Sequence, residues 1–352
     1  MMGPLPSIYD LSLDELRQKM LDLGEPAYRA NQLWSHVYRR LENNPETLLD
    51  LPRNLRTRLA EIFDFASLRE KAIVVSQDEQ TQKILFELRD GEEIESVLMR
   101  YEQRDTACIS TQIGCAMGCL FCATGHMGFQ RNLSSAEIVA QVLHLARNLA
   151  NQGQHLSNIV VMGMGEPFHN YDATLEAIDR LNHPEGFNFG ARRFTISTVG
   201  LVPAIERFAT ERRQINLAVS LHAATNSLRD ALLPVNQRYP LETLIPACRE
   251  FVRQTGRRIT FEWVLIRDIN DDLDQANALA DLISDLNCHV NLIPLNPTQG
   301  YTGKATTKEN ADRFYRLLLS RGIPCTLRAR RGIDIQAGCG QLATWRRDTV
   351  QT

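Results

Sequence analysis

The chain has 352 residues, of which 43% are hydrophobic and 23% are charged, so it can bury a large core and lacks the composition of a disordered protein. It has no run of about 18 apolar residues, which argues against a membrane span, and its first residues do not form an export signal. We therefore expect a cytoplasmic protein whose eight cysteines serve metal or redox chemistry rather than a disulfide framework.

The first 70 residues have a helical pattern. Leu13, Leu16 and Met20 recur at helical spacing behind Ser12, which can cap the helix, and Gly24 can end it. A second helix is expected to begin near Ala27. We predict a helical accessory domain over residues 1–70, followed by a short β-rich connection over residues 71–104 that leads into the core.

Strands and helices alternate from about residue 105 onwards. Six strands are predicted at residues 107–111, 158–162, 193–198, 215–221, 259–266 and 288–294. Alternation of this kind indicates parallel βαβ units. Six units are too few for a closed eight-stranded barrel, so we predict an α/β fold, a partial (β/α)6 barrel over residues 105–300. In a barrel of this kind we expect the catalytic residues at the carboxyl ends of the strands.

Residues 301–352 form a basic C-terminal segment. They contain ten Lys and Arg against four Asp and Glu, a net charge of +6, whereas the whole chain has a formal charge of −3. A solvated helix face with a basic tail would explain this pattern, and so would phosphate contacts to a nucleic acid. The candidates for such contacts are Arg328, Arg330, Arg331, Arg346 and Arg347.

Three of the cysteines form a C-x3-C-x2-C motif, Cys115, Cys119 and Cys122. Three thiolates in one loop can hold three irons of a [4Fe–4S] cluster, which leaves the fourth iron open to another ligand. Zinc is the alternative, but it usually takes four ligands in closed pairs, and the nearest fourth candidate is His126.

The motif, with Phe121 before its third cysteine, resembles the radical S-adenosylmethionine (SAM) superfamily. The stretch over residues 114–133 is similar to one family within it, the RlmN/Cfr family of adenosine methyltransferases that act on RNA. The similarity continues in Gly-Met-Gly-Glu-Pro at 163–167, Ser-Thr-Val-Gly at 197–200, Ser-Leu-His-Ala at 220–223, Pro-Leu-Asn-Pro at 294–297 and Ala-Gly-Cys-Gly-Gln-Leu at 337–342.

The resemblance implies one [4Fe–4S] cluster on Cys115, Cys119 and Cys122. It also implies that two SAM molecules are used for each methyl group transferred, one to methylate a cysteine and one to supply a 5′-deoxyadenosyl radical. The SAM-binding residues implied by the family pattern are Gly165, Glu166, Ser197, Ser220, Leu221, His222 and Asn296.

Two further cysteines receive catalytic roles from the resemblance. Cys339 lies between Gly338 and Gly340, which favours an exposed, reactive thiol in a flexible loop. The family pattern makes Cys339 the S-methylcysteine intermediate, Cys108 the resolving thiol that forms a transient disulfide with it, and Glu95 a proton acceptor. The other three cysteines match no site motif and are predicted to be buried structural thiols, namely Cys248, Cys288 and Cys325.

The function that the resemblance implies is methylation of C2 of adenosine in 23S rRNA (adenosine 2503, in the peptidyl-transferase centre) and of adenosine 37 in some tRNAs. An electron donor such as a flavodoxin system would reduce the cluster, and the enzyme would be a cytoplasmic monomer. Three alternatives stay open at this stage. They are methylation of C8 of the same adenosine, a radical SAM reaction on a peptide or small molecule, and a zinc-stabilised RNA-binding protein without catalysis.

Overall fold

The computed structural model describes residues 5–343. Arg346 and Arg347, which were predicted to contact phosphates, lie outside the described residues. Helices in the described part are α1 (Leu13–Asp22), α2 (Tyr28–Trp34), α3 (Arg53–Ile62), α4 (Ala123–His126), α5 (Ser135–Ala150), α6 (Tyr171–Asn182), α7 (Val202–Thr210), α8 (Asn226–Leu232), α9 (Leu241–Thr255), α10 (Leu273–Ile283) and α11 (Lys308–Ser320).

Ten strands form one mixed sheet, in the order β1-β2-β3-β4-β7-β8-β9-β10-β11-β12, and β5 and β6 form a separate hairpin. Within this ten-stranded sheet, β1 to β4 pair antiparallel, whereas β4 and β7 to β12 pair parallel. The strands are β1 (Arg69–Val75), β2 (Thr81–Glu87), β3 (Glu93–Tyr101), β4 (Arg104–Cys108), β5 (Gln112–Gly114), β6 (Phe129–Asn132), β7 (Leu156–Val161), β8 (Phe194–Thr198), β9 (Asn216–Ser220), β10 (Ile259–Leu265), β11 (Cys288–Pro294) and β12 (Cys325–Leu327).

The predicted fold class is confirmed, and the sheet is larger than expected. The six predicted strands correspond to β4 and β7 to β11, although β4 (Arg104–Cys108) ends three residues before the end of the predicted range 107–111. The basic C-terminal segment adds a seventh parallel strand, β12, after α11. The β-rich connection is also part of the sheet, because β3 pairs with β4. β12 has only three residues, too few to show an alternating pattern in the sequence. The predicted domain boundaries stay a prediction.

The accessory helices dock on the outside of the barrel. As predicted, Ser12 caps α1: its side chain accepts a hydrogen bond from the Glu15 amide. Arg180 on α6 is buried and donates through Nη2 to the Asp10 carbonyl at 2.8 Å. The Trp34 ring packs edge-on against His183, with the ring centroids 5.5 Å apart.

Alternating side chains of the parallel strands separate the outer core from the inner cavity. On β10, Phe261 and Trp263 are fully buried against the outer layer, and Trp263 lies 5.7 Å from the Phe314 ring of α11. Thr260, Glu262 and Val264, the residues between them, line the inner cavity. The outer helices therefore supply the hydrophobic core, and the inside of the barrel carries polar groups. Within residues 5–343, no helix combines the length and apolarity needed to cross a membrane.

Candidate active site

A cavity of about 1040 Å³ occupies the inside of the partial barrel. All but two of the predicted site residues line it. The predicted residues that line it are Cys108, Cys115, Cys119, Cys122, Gly165, Glu166, Ser197, Ser220, His222, Asn296 and Cys339. Glu95 and Leu221 are not among the lining residues.

The three-cysteine loop begins directly after β5. Gly114 has a φ of +68°, and a Cβ there would lie 1.7 Å from the Gly128 carbonyl oxygen, so only glycine fits. The Cys115 amide donates to that same oxygen at 3.0 Å, and the Leu120 amide donates to the Leu232 carbonyl at 3.0 Å. The loop is thus held by backbone contacts at its start and in its second half, and its three cysteines line the cavity.

The donor set fits an iron–sulfur cluster. Burial raises the pKa of Cys115 to about 12 and that of Cys119 far above its ordinary value, and the neighbouring thiols add to both shifts. A cationic centre favours the thiolate form of buried cysteines that lie near one another, and cluster irons supply such a centre. Within the described residues, no group of three or more His, Cys, Asp or Glu side chains lies in a ready-made arrangement for a metal ion.

Polar groups at the strand ends offer contacts for SAM. Ser197 and Ser220, on neighbouring strands, have hydroxyl oxygens 3.4 Å apart. Asn296 is 4% exposed, and its Oδ1 has no hydrogen-bond partner among the residues that the structure describes. A buried carbonyl oxygen without a donor is unfavourable until a ligand supplies one. These groups fit a polar, nucleoside-containing ligand such as SAM.

His222 has a strained backbone conformation, and its imidazole ring is neutral. Its φ is +59°, which is uncommon for a residue with a side chain. Its Nδ1 accepts a hydrogen bond from the Val264 amide at 3.0 Å, and the Phe121 ring packs edge-on against it at 5.0 Å. Burial, followed by the charge of Arg229, lowers the pKa of His222 to about 3. It can therefore offer a hydrogen bond or a packing surface, but no positive charge.

Both carboxylate oxygens of Glu166 accept hydrogen bonds from the protein backbone. Its Oε1 accepts from the Phe168 amide at 3.0 Å and its Oε2 from the Val199 amide at 2.8 Å. Burial raises the pKa of this carboxyl to about 7. Each carboxylate oxygen accepts one backbone hydrogen bond and keeps a second lone pair, and Glu166 lines the cavity together with Gly165. The contact of these two residues with SAM stays a prediction.

The segment around Cys339, residues 336–343, lies across the cavity. The Ala123 amide, next to the three-cysteine loop, donates to the Gly340 carbonyl at 2.8 Å, and the Thr124 hydroxyl donates to the Leu342 carbonyl at 2.6 Å. From the end of β11, Asn296 Nδ2 donates to the Cys339 carbonyl at 3.1 Å. Cys339 is thereby held between the cluster loop and the predicted SAM site.

The two predicted catalytic thiols share the cavity. Cys339 is exposed to the cavity, while Cys108, at the end of β4, is partly buried. The surrounding protein keeps water away from both sulfur atoms, which disfavours their charged thiolate forms. Burial therefore raises the pKa of Cys339 to about 11 and that of Cys108 to about 12. The charge of Glu262 also raises the pKa of Cys339, and the charge of Cys339 also raises the pKa of Cys108.

Glu95 lies behind the Cys339 segment rather than in the cavity. It is 1% exposed, its Oε1 forms an ion pair with Lys83 Nζ at 3.0 Å, and its Oε2 accepts from the Ala343 amide at 3.0 Å. Burial raises its pKa to about 7, although Lys83 opposes the shift. The proposed role as a proton acceptor stays a prediction, while the contacts observed are those of an anchor.

Sequence reasoning missed three buried charged groups near the cavity. Lys83, Arg229 and Glu262 are each less than 5% exposed. Lys83 and Glu262 lie inside strands whose alternating pattern could have assigned them to the inner face. No signal in the sequence distinguishes Arg229 from an exposed helical arginine. The predicted burial of the remaining cysteines is confirmed, for Cys248, Cys288 and Cys325.

Arginines surround the cavity at both ends. Arg328, Arg330 and Arg331 line it, and the Arg331 guanidinium lies 4.5 Å from the centre of the Tyr101 ring. Arg104 contacts the same ring at 4.6 Å. Further lining arginines at the amino end of β10 are Arg257 and Arg258. The mouth is thus basic although the formal charge of the whole chain is −3.

Two family models match the chain. The model of the radical SAM superfamily matches residues 109–280. The model of the ribosomal RNA large subunit methyltransferase N-terminal domain matches residues 7–64. Membership of the radical SAM superfamily implies that SAM and a [4Fe–4S] cluster are the cofactors.

Similar proteins cover almost the full length. A probable dual-specificity RNA methyltransferase RlmN from Chloroflexus aurantiacus is 49% identical over 347 residues, covering 96% of this chain and 92% of the relative. The dual-specificity RNA methyltransferase RlmN 1 of Myxococcus xanthus is 47% identical, covering 96% and 94%. A crystal structure of a radical SAM methyltransferase from Sphaerobacter thermophilus is 50% identical, with a TM-score of 0.94 over 96% of this chain and 99% of that one. With this identity over nearly the whole length, and with three cysteines at the spacing of a cluster site, the chain belongs to the RlmN family of radical SAM RNA methyltransferases.

Proposed function

We propose that this enzyme methylates C2 of an adenosine in 23S rRNA, at adenosine 2503 of the peptidyl-transferase centre, and also adenosine 37 of some tRNAs. The methyl group passes through S-methylcysteine at Cys339, and a transient disulfide with Cys108 releases the product. The observation that supports this proposal is that both thiols line one cavity with Cys115, Cys119 and Cys122. A thiol with only a structural role would have no reason to lie there.

Cys115, Cys119 and Cys122 would hold the cluster, which, with SAM, supplies the one-electron chemistry that makes an unreactive methyl group reactive. The predicted SAM-binding residues at the strand ends would orient SAM, and two SAM molecules are used for each methyl group transferred. Gly165 and the backbone around it approach the ligand closely, while Ser197, Ser220 and Asn296 offer polar side chains. His222 would help to exclude water as a neutral ring.

Cys339 must lose its proton before it can accept a methyl group. Its pKa of about 11 means that the thiol is protonated in the protein alone. Arg328 is the positive group that opposes this shift. The positively charged sulfonium of SAM would act in the same direction, so that the thiolate forms when the methyl donor is present.

Cys108 completes the reaction by thiol–disulfide chemistry. Its thiolate attacks the Cys339 sulfur, an S–S bond forms, and the bond between that sulfur and the transferred carbon breaks, with the electron pair going to the carbon. The carbon then takes a proton and becomes a methyl group. A cellular thiol later reduces the disulfide, which is consistent with a cytoplasmic location.

The target base must leave its stack to reach these groups. RNA loops present such bases more readily than duplexes. Arg328, Arg330 and Arg331 at the mouth would contact the phosphates on either side. We further propose that the protein acts as a monomer and that an external donor, such as a flavodoxin system, reduces the cluster.

The test is nucleoside analysis after an anaerobic reaction with SAM and an rRNA fragment. The wild type should form 2-methyladenosine, Cys339→Ala should form none, and Cys325→Ala, a buried cysteine outside the cavity, should remain active. Cys108→Ala should retain the RNA covalently on Cys339, because the release step is missing. Formation of 8-methyladenosine would overturn the C2 assignment, and methylation by Cys339→Ala would overturn the methyl-carrier role.

A further inference from the structure

A row of polar residues crosses the inner wall of the barrel. Glu262 on β10 lies in register with Ser220 on β9 and with Asn291 on β11, and Asn291 lies in register with Thr326 on β12. All four line the cavity. We call them the polar row. It lies deeper in the barrel than Asn296, which follows β11.

Three members of the polar row have their polar groups engaged. The Ser220 hydroxyl contacts Ser197 at 3.4 Å, Asn291 Nδ2 donates to Glu262 Oε1 at 2.8 Å, and the Thr326 hydroxyl lies 2.9 Å from His289 Nε2. Glu262 is the exception. It is 4% exposed, and its Oε2 has no hydrogen-bond partner among the residues that the structure describes.

A buried carboxyl oxygen without a donor is unfavourable, and such groups are rare unless a ligand completes them. Burial raises the pKa of Glu262, while Arg328 and the hydrogen bond from Asn291 lower it. The proposed catalytic steps do not use this carboxyl. The unpartnered Oε2 of Glu262 therefore indicates a contact with a ligand that enters the cavity.

The position of Glu262 restricts the ligand. Glu262 and Cys339 line the same cavity, and the charge of Glu262 raises the pKa of the Cys339 thiol, so a group bound to Glu262 lies in the same space as the reaction. A phosphate would be repelled by the carboxylate, and a cationic group would also face Arg328. A neutral donor, either an amino group or a hydroxyl, is the chemistry that suits this oxygen.

We propose that Glu262 Oε2 accepts a hydrogen bond from the amino group or a ribose hydroxyl of an adenosine moiety bound within the barrel. This inference rests on the proposed function, in which both ligands, SAM and the RNA, contain adenosine. The chemistry of the contact is the same for the two sources. The experiment distinguishes them.

The first measurement is anaerobic calorimetric binding of SAM, and separately of a substrate RNA hairpin, to the holoenzyme. Glu262→Gln keeps the shape of the side chain but replaces the accepting oxygen with a donor. It should weaken the binding of one ligand by about tenfold or more, because hydrogen bonds to charged groups are strong. Loss of SAM binding assigns the contact to SAM, and loss of hairpin binding assigns it to the RNA.

The matched control is Glu250→Gln on the outer helix α9, where the carboxylate forms an exposed ion pair with Arg253. This change should leave both affinities within about twofold, because such pairs contribute little. If Glu262→Gln melts at the wild-type temperature and binds both ligands as tightly as the wild type, the inference is overturned.

The second measurement removes the donor from the ligand, so that it does not depend on the folding of a variant. The wild type is titrated with hairpins whose target adenosine is replaced by purine nucleoside or by 2′-deoxyadenosine, and with SAM analogues carrying the same deletions and a 3′-deoxyribose. One deletion should cost about tenfold in the wild type and nothing further in Glu262→Gln. Equal binding of every analogue to the wild type would overturn the inference.

The wild-type reaction separates this inference from the function on which it rests. If the wild type methylates the hairpin but Glu262→Gln binds both ligands normally, only the inference fails. If the wild type neither methylates the hairpin nor binds it, the proposed function fails, while weaker SAM binding by Glu262→Gln would still assign the contact to SAM.

Discussion

Arg229 places a guanidinium group in the interior beside the cavity. It is fully buried and donates to the Val199 carbonyl at 2.7 Å, the Asn236 Oδ1 at 2.8 Å and the Leu221 carbonyl at 3.3 Å. Burial lowers its pKa to about 10. Because Val199 follows β8 and Leu221 follows β9, one side chain ties together two strand ends that carry predicted SAM-binding residues.

Arg229→Leu should reduce the free energy of unfolding by about 3 kcal/mol or more, because several buried acceptors lose their donor. Urea unfolding of the purified protein measures the change. Arg249→Ala, which removes an exposed pair with Asp285, should change the same free energy by about 0.5 kcal/mol at most. Equal losses in the two variants would contradict the role assigned to Arg229.

The Cys339 thiol provides a prediction of pH dependence. Since its pKa is about 11, the thiolate fraction below that value falls about tenfold for each pH unit. Without SAM, alkylation of Cys339 by iodoacetamide should rise about tenfold per unit from pH 7 to pH 9 without reaching a plateau. Peptide mass spectrometry measures the rate at this residue. A plateau near pH 8 would show that another group already stabilises the thiolate.

The segment that carries Cys339 is an element without regular secondary structure, and side chains of neighbouring elements hold it in place. Lys83 Nζ on β2 donates to the Gln336 carbonyl at 3.4 Å, and Glu95 on β3 accepts from the Ala343 amide at 3.0 Å. The two side chains are themselves paired. One buried ion pair therefore contacts the segment on both sides of the thiol.

Glu95→Ala should loosen this segment, because it removes the acceptor for Ala343 and the carboxylate beside Lys83. Hydrogen–deuterium exchange should become faster in residues 336–343 and stay unchanged in β8 to β10. Glu93→Ala, on the same strand but in a partly exposed pair with Lys71, is the control. Unchanged exchange in Glu95→Ala, together with loss of methylation, would instead favour the proton-acceptor role.

At the scale of the whole molecule, charge is distributed unevenly. The formal charge of −3 gives no attraction for RNA as a whole, whereas six arginines line the cavity. RNA binding should therefore depend on local phosphate contacts and fall steeply with salt.

Arg330→Ala should weaken hairpin binding and reduce the slope of log Kd against log salt by about one. Arg249→Ala, on the outer face of α9, should leave the slope unchanged. Fluorescence anisotropy at several salt concentrations measures both. If the slope is the same for Arg330→Ala as for the wild type, Arg330 makes no phosphate contact.

Features fixed by local chemistry or by long apolar runs could be predicted from the sequence, whereas features fixed by distant contacts could not. The cluster loop could be recognised because chemistry fixes the spacing of Cys115, Cys119 and Cys122, and the long strands could be recognised from their apolar runs. β12 could not, because it owes its strand conformation to pairing with β11. The partners of Glu95, Glu166 and Glu262 could not be foreseen either, since they come from segments distant in the sequence and depend on the completed fold.

Cys108 ends the strand at which the sheet changes from antiparallel to parallel, because β4 pairs with β3 on one side and with β7 on the other. The two proposed disulfide partners therefore differ in how they are held: Cys108 is anchored in a sheet from both sides, while Cys339 belongs to an irregular segment held by hydrogen bonds from neighbouring elements. Any movement that brings the two sulfurs together falls to the Cys339 side. A disulfide that outlasts the reaction would fasten that segment to the sheet and keep the next RNA out, so the reductant would reopen the enzyme as well as restore its thiols.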